Sequence, residues 1–269
     1  MGLFACLYCR IKGIKYFFCV SDDWDHVPQR TAACFLWKSI IKPVVLKYAH
    51  AVLPVSHKQY DLCLKKNKNT FLLPNGVELP FIKKIDNEES NNESETVNFI
   101  AHLRDWYDFD LLTEIFIEIP RMTLNIFGDG PLKNELIQKT AHIPNIKVLG
   151  SRIHEDTARL LNETAIGLLP LKKTILNDST CPIKLFDYWA ARKAVVATPT
   201  EELKILGSDC LLFATTKDEW IKQITFLLNN PERRKILGHT GREKVEKTYN
   251  YDAITEVFLR ITKRLLKTE

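Results

Sequence analysis

Short apolar runs alternate with amphipathic stretches along most of this chain. From residue 96 onward, runs with the length and composition of buried strands begin at Val97, Met122, Ile146, Ala165, Ala194 and Cys210. Helical spacing of apolar residues separates these runs, over 111–119, 132–140, 155–162, 182–191 and 202–206. Strict alternation of this kind predicts an α/β fold in which helices cover both faces of a parallel sheet. Because ligands bind at the carboxyl ends of such strands, we expect the ligand-binding loops after Leu103, Phe127, Leu149, Leu169 and Thr198.

The two ends of the chain follow a less regular pattern. Before residue 83, the pattern predicts short strands at 15–20, 51–55 and 70–73, and helical segments at 31–48, interrupted at Pro43, and 57–66. Residues 83–95 have no periodic apolar pattern and are dense in Asn, Glu and Ser, so we predict a linker there. The chain is predicted to end in helices at 217–228, 232–247 and 252–267.

Charge and composition narrow the possible partners. The 269 residues include 38 Lys or Arg and 33 Asp or Glu, a formal net charge of +5 that favours a phosphate-bearing ligand or an acidic membrane surface. No dense basic block alternates with aromatic residues, so nucleic acid is not an expected partner. The 7 cysteines are scattered, which is typical of reduced thiols in a cytoplasmic protein. No apolar stretch reaches the roughly 18 residues of a membrane span, which leaves peripheral membrane association open.

The stretch from residue 168 to 198 contains the most informative chemistry. A strand ends near Pro170, and a helix is predicted to start near Pro182, with Ser179, Thr180 or Cys181 as its cap. The free N–H groups and the positive dipole end of a helix start attract phosphate oxygens. Lys184 would add a full positive charge. Asp187 lies on the same helix face and could accept two hydrogen bonds from ribose hydroxyls.

A second interpretation of this helix stays open on the residues alone. Lys184 and Asp187 are spaced i,i+3, so they could form an ion pair on a solvated face that binds no ligand.

Six segments of the chain, in order, resemble those of the retaining GT-B glycosyltransferases of family 4. CPIKLFDYWAARKAVVAT (181–198) is similar to the family pattern S-P-x-K-x-x-E-Y-x-A-x-G-K-P-V-V-A-T. The other similar segments are VLG (148–150), FGDGP (127–131), FIAHLRDWYDFDLL (99–112), AHAVLPVS (49–56) and LLPNGVE (72–78), and YNYD (249–252) also resembles the family's sequence before its final helix. The likeness extends from about residue 14 to about residue 265.

The resemblance implies a GT-B fold with one complete Rossmann-like C-terminal domain and a partial N-terminal Rossmann-like domain. We therefore predict a partial, acceptor-side domain over 1–82, the linker over 83–95, a nucleotide-sugar-binding domain over 96–248, and a C-terminal helix over 249–269 that packs back on the N-terminal part. Relative to the family, the first domain is short, so the chain is expected to be a fragment or an unusually short member. The implied activity is that of a hexosyltransferase-type glycosyltransferase, in which a sugar passes from a nucleoside diphosphate sugar to an acceptor hydroxyl with retention. The expected acceptor is a saccharide or a lipid-linked saccharide, and no cofactor or metal is expected.

The resemblance also assigns residues to this reaction. Lys184 and Arg104 would be the catalytic cations that stabilise the departing diphosphate. Asp187 would hold the ribose, residues 149–151 would flank the base, and residues 177–180 would face the sugar. The expected nucleotide-sugar-binding set is Ala101, Gly130, Leu149, Gly150, Ser151, Asn177, Asp178, Ser179, Thr180, Cys181, Pro182, Ile183 and Asp187.

Several positions depart from the family pattern. Asp187 stands where the family has glutamate, and Ser179 stands where it has a second acid. Ala101 replaces a glycine, and His102 and Tyr107 align with a basic pair. Arg192 and Ala194 replace the Gly and Pro around Lys193. These departures favour an alternative in which the chain is a non-catalytic homologue or fragment, acting as a nucleotide-binding or scaffold subunit. A Rossmann-type domain for another phosphate ligand is a further alternative.

Two short motifs suggest metal sites but lack matching ligands. Asp23-Trp24-Asp25 has the form of a D-x-D metal motif, yet only about twenty residues precede it, whereas that motif normally follows a nucleotide-binding unit. Cys6 and Cys9 form a C-x-x-C without a second pair at zinc spacing. We therefore interpret the first motif as a polar loop and the second as structural thiols.

Overall fold

The computed structural model describes residues 2–21, 35–86, 95–152 and 154–266. The chain divides into two compact units. Unit 1 comprises Met1–Asn75, Thr174–Cys181 and Ala253–Glu269, and unit 2 comprises Gly76–Lys173 and Pro182–Asp252. Helices and strands are numbered below in chain order.

Unit 1 is built on a pair of parallel strands with helices around them. Its elements are α1 (Gly2–Ile11), β1 (Phe17–Val20), a π-helical turn (Trp37–Ile41), α2 (Lys42–Tyr48), β2 (Ala51–Pro54), α3 (His57–Leu64), the short α8 (Ile175–Asp178) and most of α13 (Tyr251–Leu266). β1 pairs with β2 in parallel, and Val20, Leu46, Val52 and Cys63 form the core beside this pair. The predicted strand at 70–73 reduces to a single bridge between Thr70 and Val52. The sequence pattern did not predict α1.

The end of α13 packs within unit 1. The Phe258 ring meets the Phe17 ring edge to face at 6.0 Å between centroids. The Lys15 ammonium donates to the Leu265 carbonyl at 3.3 Å. This part of α13 therefore covers β1.

Unit 2 has the alternating order that the apolar pattern predicts. Its elements are α4 (Leu79–Asp86), β3 (Thr96–Ile100), α5 (Phe109–Glu118), β4 (Thr123–Phe127), α6 (Lys133–Thr140), β5 (Ile146–Gly150), α7 (His154–Glu163), β6 (Gly167–Leu169), α9 (Ile183–Ala190), β7 (Val195–Ala197), α10 (Glu201–Gly207), β8 (Leu211–Phe213), α11 (Lys217–Asn229) and α12 (Pro231–Lys247). The strands form two parallel sheets in the orders β3-β4-β5 and β6-β7-β8. The predicted α/β fold with parallel strands is confirmed.

A threonine side chain joins the two sheets of unit 2 between β3 and β6. The Asn98 N–H donates to Thr164 Oγ1 at 2.6 Å, and that hydroxyl donates to the Asn98 carbonyl at 3.4 Å. One residue further on, the Ala165 N–H donates to the Thr96 carbonyl at 2.8 Å. The Thr164 side chain thus takes the place of one backbone hydrogen bond between β3 and β6. The carboxyl ends of these two strands lie at the same edge.

The predicted linker at 83–95 is partly helical. Residues 83–86 form the last turn of α4, and residues 87–94 lie outside the described part of the chain. Asp86, at the end of α4, accepts hydrogen bonds from Arg192 Nη1 and Arg242 Nη2, both at 2.7 Å. The Arg242 side chain is only 3% exposed, and it also donates to Glu246 and to the Ala190 carbonyl. Polar contacts stabilise this helix end. The apolar pattern of the sequence therefore could not predict it.

Asp86 should make stability depend on pH. Burial works to raise the pKa of Asp86, but hydrogen bonds and charge from Arg242 and Arg192 outweigh it and lower that pKa. A lowered pKa stabilises the fold above the unfolded value of about 3.9, and this contribution is lost as the pH falls through the folded pKa. We expect Asp86→Asn to lower the free energy of unfolding by about 1 kcal/mol at neutral pH, since the carboxylate is partly exposed. Urea unfolding from neutral to acid pH should show the two proteins converging; a constant gap would contradict this role.

Arg192 occupies a conformation that suits glycine. Its φ is 54°, and it is the one non-glycine with a positive φ among the described residues. We expect Arg192→Gly to be more stable than Arg192→Ala by about 0.5–1 kcal/mol, because both variants lose the ion pair with Asp86 but only glycine relieves the backbone strain. Urea unfolding of the two variants measures this difference, and equal stabilities would exclude strain at this position.

Candidate functional site

The loops that follow β3, β4 and β5 are held together by backbone hydrogen bonds. The Ala101 N–H donates to the Phe127 carbonyl at 2.9 Å, and the Leu103 N–H donates to the Asp129 carbonyl at 2.9 Å. The Gly128 N–H donates to the Gly150 carbonyl at 3.0 Å. The predicted residues Ala101, Gly130 and Gly150 therefore lie on one network of loops at the carboxyl edge of the sheet.

Two glycines allow these loops to approach each other closely. At Gly128 (φ 148°) an added Cβ would lie 1.8 Å from the Ala101 carbonyl oxygen. At Gly130 (φ 153°) it would lie 2.4 Å from the Leu103 carbonyl oxygen. Both glycines are thus required by backbone packing, whatever ligand the edge binds.

Lys184 lies one turn before Asp187 on α9 and is partly buried. Its ammonium nitrogen lies 6.0 Å from the centroid of the Phe99 ring, at the end of β3. Burial lowers the pKa of Lys184, and the negative charge of Asp187 offsets part of this effect. The sequence alone also allowed Lys184 and Asp187 to form an ion pair on a fully solvated helix face. The structure instead places Lys184 in a partly buried position near an aromatic ring. Such a cation gains more from an anionic ligand than one in open water.

Arg104 follows β3, on the first of these loops. Its guanidinium carbon lies 5.5 Å from the centroid of the Trp106 ring. Its Nε is buried and has no hydrogen-bond partner within the described residues. An unpaired buried donor on a cation is costly without a ligand, so this N–H group is suited to donate a hydrogen bond to a phosphate oxygen.

The loop after β3 is also tied to the loop after β6. Tyr107 and Leu171 form an antiparallel bridge, and the Asp108 N–H donates to the Pro170 carbonyl at 2.7 Å. Burial raises the pKa of Tyr107, and the charge of Asp187 raises it further. Tyr107 is therefore a neutral, buried neighbour of Asp187, although it aligns with a basic position of the family. The aligned His102 is exposed, with Nδ1 2.7 Å from the Asp129 carbonyl oxygen.

The amino end of α9 differs from its predicted form. The helix begins at Ile183, and Pro182 is its extended N-cap (φ −76°, ψ 114°), with no side-chain hydrogen bond capping the helix. The predicted caps were wrong because the Ser179 and Thr180 hydroxyls donate to the Ile175 and Leu176 carbonyls of α8, both at 2.9 Å. Hydroxyls one turn after a short helix commonly satisfy its carbonyls in this way. Without a capping side chain, the first N–H groups of α9 suit water or an anion.

The predicted residues 177–181 belong to unit 1, and most of them are buried there. Asn177, Ser179 and Cys181 are buried. Ser56 Oγ donates to the Ser179 carbonyl at 2.6 Å, and Asn75 Nδ2 donates to the Cys181 carbonyl at 2.7 Å. Asp178 lies 3.9 Å from the Lys58 ammonium. These contacts hold the main chain of the segment within unit 1.

Solvent-facing residues lie at the carboxyl end of β5 and directly after it. Leu149 is 38% exposed, and Ser151 is exposed beside it. The Arg152 guanidinium, which sequence reasoning missed, lies 5.3 Å from the centroid of the Phe127 ring. Arg152 could have been identified from the sequence, because it is a basic residue directly after the carboxyl end of a predicted strand. Ile183, at the start of α9, is 49% exposed, whereas Pro182 is buried.

Lys193, the other lysine of the 181–198 segment, has a structural role. It is 4% exposed, and its ammonium donates to the Asn162 carbonyl at 2.8 Å. Burial lowers its pKa to about 8, with a smaller contribution from Arg234. This lysine is therefore not a candidate for ligand binding.

Of the two motifs that suggested metal sites, the structure describes only Cys6 and Cys9. Asp23-Trp24-Asp25 lies outside the described residues. The Cys6 sulfur lies 2.7 Å from the Tyr16 hydroxyl. Within the part of the chain that the structure describes, no three His, Cys, Asp or Glu residues are grouped so that they could hold a metal ion, and no helix is long and apolar enough to cross a membrane.

Comparisons with known proteins identify the family of this chain. The chain matches the sequence profile of the family described as "Glycosyl transferase-like" over residues 105–260. TuaH of Bacillus subtilis (strain 168), which its name assigns to teichuronic acid biosynthesis as a glycosyltransferase, is 24% identical over 149 residues. That match spans 53% of this chain and 38% of TuaH.

Solved structures with the same fold cover nearly all of the chain. Anabaena Alr3699/HepE in complex with UDP and glucose has a TM-score of 0.76 at 13% identity, over 97% of this chain and 75% of that chain. Sucrose-phosphate synthase from Thermosynechococcus elongatus has a TM-score of 0.77 at 16% identity, over 98% and 71%. A mutant of S. aureus TarM, in complex with Fondaparinux, alpha-GlcNAc-glycerol and UDP, has a TM-score of 0.68 at 16% identity, over 92% of this chain and 50% of that chain. The fold is GT-B, and the chain belongs to the glycosyl transferase-like family.

Proposed function

We propose that this chain transfers a sugar from a nucleoside diphosphate sugar to an acceptor hydroxyl, with retention and without a metal ion. One observation carries the proposal: Lys184 lies partly buried at an uncapped helix start, one turn before Asp187 and against the end of β3. A cation, free N–H groups and a carboxylate at these positions match the charges and hydroxyls of a nucleoside diphosphate.

The reaction breaks the bond between the anomeric carbon and the diphosphate oxygen. The acceptor oxygen forms the new bond to that carbon, and its proton passes to the departing diphosphate oxygen. Negative charge grows on the diphosphate as it leaves, and Lys184, Arg104 and the amino end of α9 would stabilise this charge. Asp187 would hold the ribose in place, so that the diphosphate stays aligned with these donors. Retention is supported by the resemblance of residues 181–198 to retaining enzymes.

UDP is the first nucleotide to test. Alr3699/HepE and TarM, which share the fold, are described in complex with UDP. We propose a UDP-hexose donor and a saccharide or lipid-linked saccharide acceptor in polysaccharide biosynthesis, which is supported by the similarity to TuaH, a protein named for teichuronic acid biosynthesis. Leu149, Ser151 and Arg152 would flank the base, since they are exposed at the carboxyl end of β5.

A panel of UDP, GDP and ADP tests the donor, with thermal stabilisation of the 269-residue chain as the readout. UDP should stabilise the chain equally with and without a chelator. Release of UDP from UDP-hexoses, with oligosaccharide acceptors present, then tests transfer. Failure of every nucleotide to bind would refute the proposal, and stabilisation that needs a divalent cation would refute its metal-independent form.

The alternative of a non-catalytic nucleotide-binding subunit is favoured by one observation. Ser179 stands at an acidic position of the family, and its hydroxyl donates to the Ile175 carbonyl at 2.9 Å. This hydroxyl is buried within unit 1 and provides no negative charge. Nucleotide binding without turnover on any donor and acceptor would support the alternative over the enzyme.

A further inference from the structure

Aromatic side chains cluster at the end of β3, in the loop after it and at the start of α5. Phe99, Tyr107 and Phe109 are buried there. Each pair of these rings meets edge to face, with centroids 5.2 Å apart for Phe99 and Tyr107 and 5.9 Å apart for the other two pairs. Because each ring contacts both of the others, the orientation of all three is fixed. We call these three residues and Trp106 the aromatic cluster.

Trp106 is the partly exposed member of the aromatic cluster. Its ring meets the Tyr107 ring edge to face, with 6.4 Å between centroids. Burial raises the pKa of Tyr107, and a hydrogen bond with the Trp106 side chain works against this effect. Since an indole N–H can only donate, the Tyr107 hydroxyl accepts this hydrogen bond. The Trp106 carbonyl also accepts from the Lys172 N–H at 2.9 Å, so both the ring and the main chain of Trp106 are held in place.

Arg104 is supported by a ring rather than by a carboxylate. Its guanidinium carbon lies 5.5 Å from the centroid of the Trp106 ring. Among the residues that the structure describes, Arg104 forms no ion pair, and its buried Nε has no hydrogen-bond partner. The face of an aromatic ring attracts a cation without neutralising its charge. Arg104 therefore keeps both its charge and an N–H group for an anionic ligand.

The aromatic cluster also reaches the second proposed cation. The Lys184 ammonium nitrogen lies 6.0 Å from the centroid of the Phe99 ring, and Phe99 contacts Tyr107. Lys184 lies on α9, whereas Arg104 lies on the loop after β3, so no single helix or strand fixes the distance between them. The rings from Phe99 through Tyr107 to Trp106 provide a packed connection between the two.

We propose that Trp106 is a positioning residue that holds Arg104 beside the leaving diphosphate, and that Tyr107 and Phe99 fix the place of Arg104 relative to Lys184. The inference rests on the proposed function, which supplies the diphosphate. It also gives a role to one departure from the family pattern. Tyr107 aligns with a basic position, and as a neutral residue it instead supports the ring beneath another cation, Arg104.

A double-mutant cycle measured by urea unfolding tests the contact without any ligand. If the ring holds the guanidinium, Trp106→Leu should lower the free energy of unfolding less in the Arg104→Ala variant than in the parent chain. Additive losses would overturn the inference, whatever ligand the chain binds. Coupled losses in a chain that binds none of UDP, GDP, ADP and pyrophosphate would support the contact and refute the proposed function alone.

Isothermal titration with UDP tests the consequence for binding. Trp106→Leu should weaken UDP binding by about threefold to tenfold, the value of one cation–π contact, and Trp106→Phe, which keeps a ring, should restore most of this affinity. In the Arg104→Ala variant, Trp106→Leu should cause no further loss. An equal loss in both backgrounds would mean that the ring contacts the ligand itself, and would overturn the positioning role.

Tyr48→Leu is the matched control for the loss of a ring beneath an arginine. The Tyr48 ring lies in unit 1, with its centroid 4.2 Å from the Arg10 guanidinium carbon. This variant should bind UDP as the parent chain does, because the nucleotide is assigned to unit 2. Circular dichroism and the unfolding curves establish that each variant is folded. A loss of UDP affinity in folded Tyr48→Leu equal to that in Trp106→Leu would also overturn the inference.

Discussion

Lys184→Ala should weaken the binding of UDP by about tenfold to a hundredfold, the value of one or two charge-assisted hydrogen bonds to a phosphate. The same variant should weaken the binding of pyrophosphate, which has no ribose. Asp187→Ala should weaken UDP binding by a similar factor but leave pyrophosphate unaffected, because the carboxylate is expected to contact only the ribose. Isothermal titration with the two ligands separates the two roles.

The affinity for UDP should also depend on pH. Burial lowers the pKa of Lys184, so this lysine loses its charge at a lower pH than an ordinary lysine, whose pKa is about 10.4. UDP affinity should therefore begin to fall at a pH below that value.

Lys204→Ala is the matched control, since Lys204 is exposed on α10 and lies outside the candidate site. It should bind both ligands as the parent chain does. Unfolding curves will report whether each variant is folded. If folded Lys184→Ala and Asp187→Ala both bind UDP normally, the assignment of α9 to the nucleotide is wrong.

Gly128→Ala should lower the free energy of unfolding by about 3 kcal/mol or more, or prevent folding altogether. The added methyl would lie 1.8 Å from the Ala101 carbonyl oxygen, so the loops after β3 and β4 would have to separate. Gly150→Ala is the matched control on the same edge. Its φ is 70°, but the nearest atom to an added Cβ is the Lys133 ammonium at 3.9 Å. This control should lose only about 1 kcal/mol from backbone strain.

Urea unfolding measures both glycine variants. A similar loss in the two would mean that backbone conformation, rather than the close approach of the loops, requires glycine at position 128. A larger loss at Gly150 than at Gly128 would contradict the packing described here.

The sequence predicted the repeating framework of unit 2 well because each part of it is locally encoded. Short apolar runs such as those of β3 and β4, separated by amphipathic helical stretches, favour strands of a parallel sheet, whose carboxyl ends share an edge. The loops containing Ala101, Gly130 and Gly150 were therefore identified correctly as neighbours. The role of Gly128, in contrast, depends on the Ala101 carbonyl, which no local pattern reveals.

The predictions that were wrong involve contacts between distant residues. Ser179 and Thr180 are good capping residues in general, but here their hydroxyls donate hydrogen bonds to carbonyls of α8 and do not cap α9. The helix end at Asp86 depends on Arg192 and Arg242, more than a hundred residues away. α1 was missed for a related reason: it is short, and its packing on α2 depends on Tyr16 and Val45, which lie outside the helix.

The contacts of Asp86 with Arg192 and Arg242 have a practical consequence for the preparation of unit 2 as a separate fragment. The apolar pattern suggests a start at residue 96, but that boundary would delete α4 and leave Arg242 as a buried cation without its carboxylate. A recombinant fragment should instead begin at Gly76, the first residue of unit 2, so that the acid and its two arginines are expressed together.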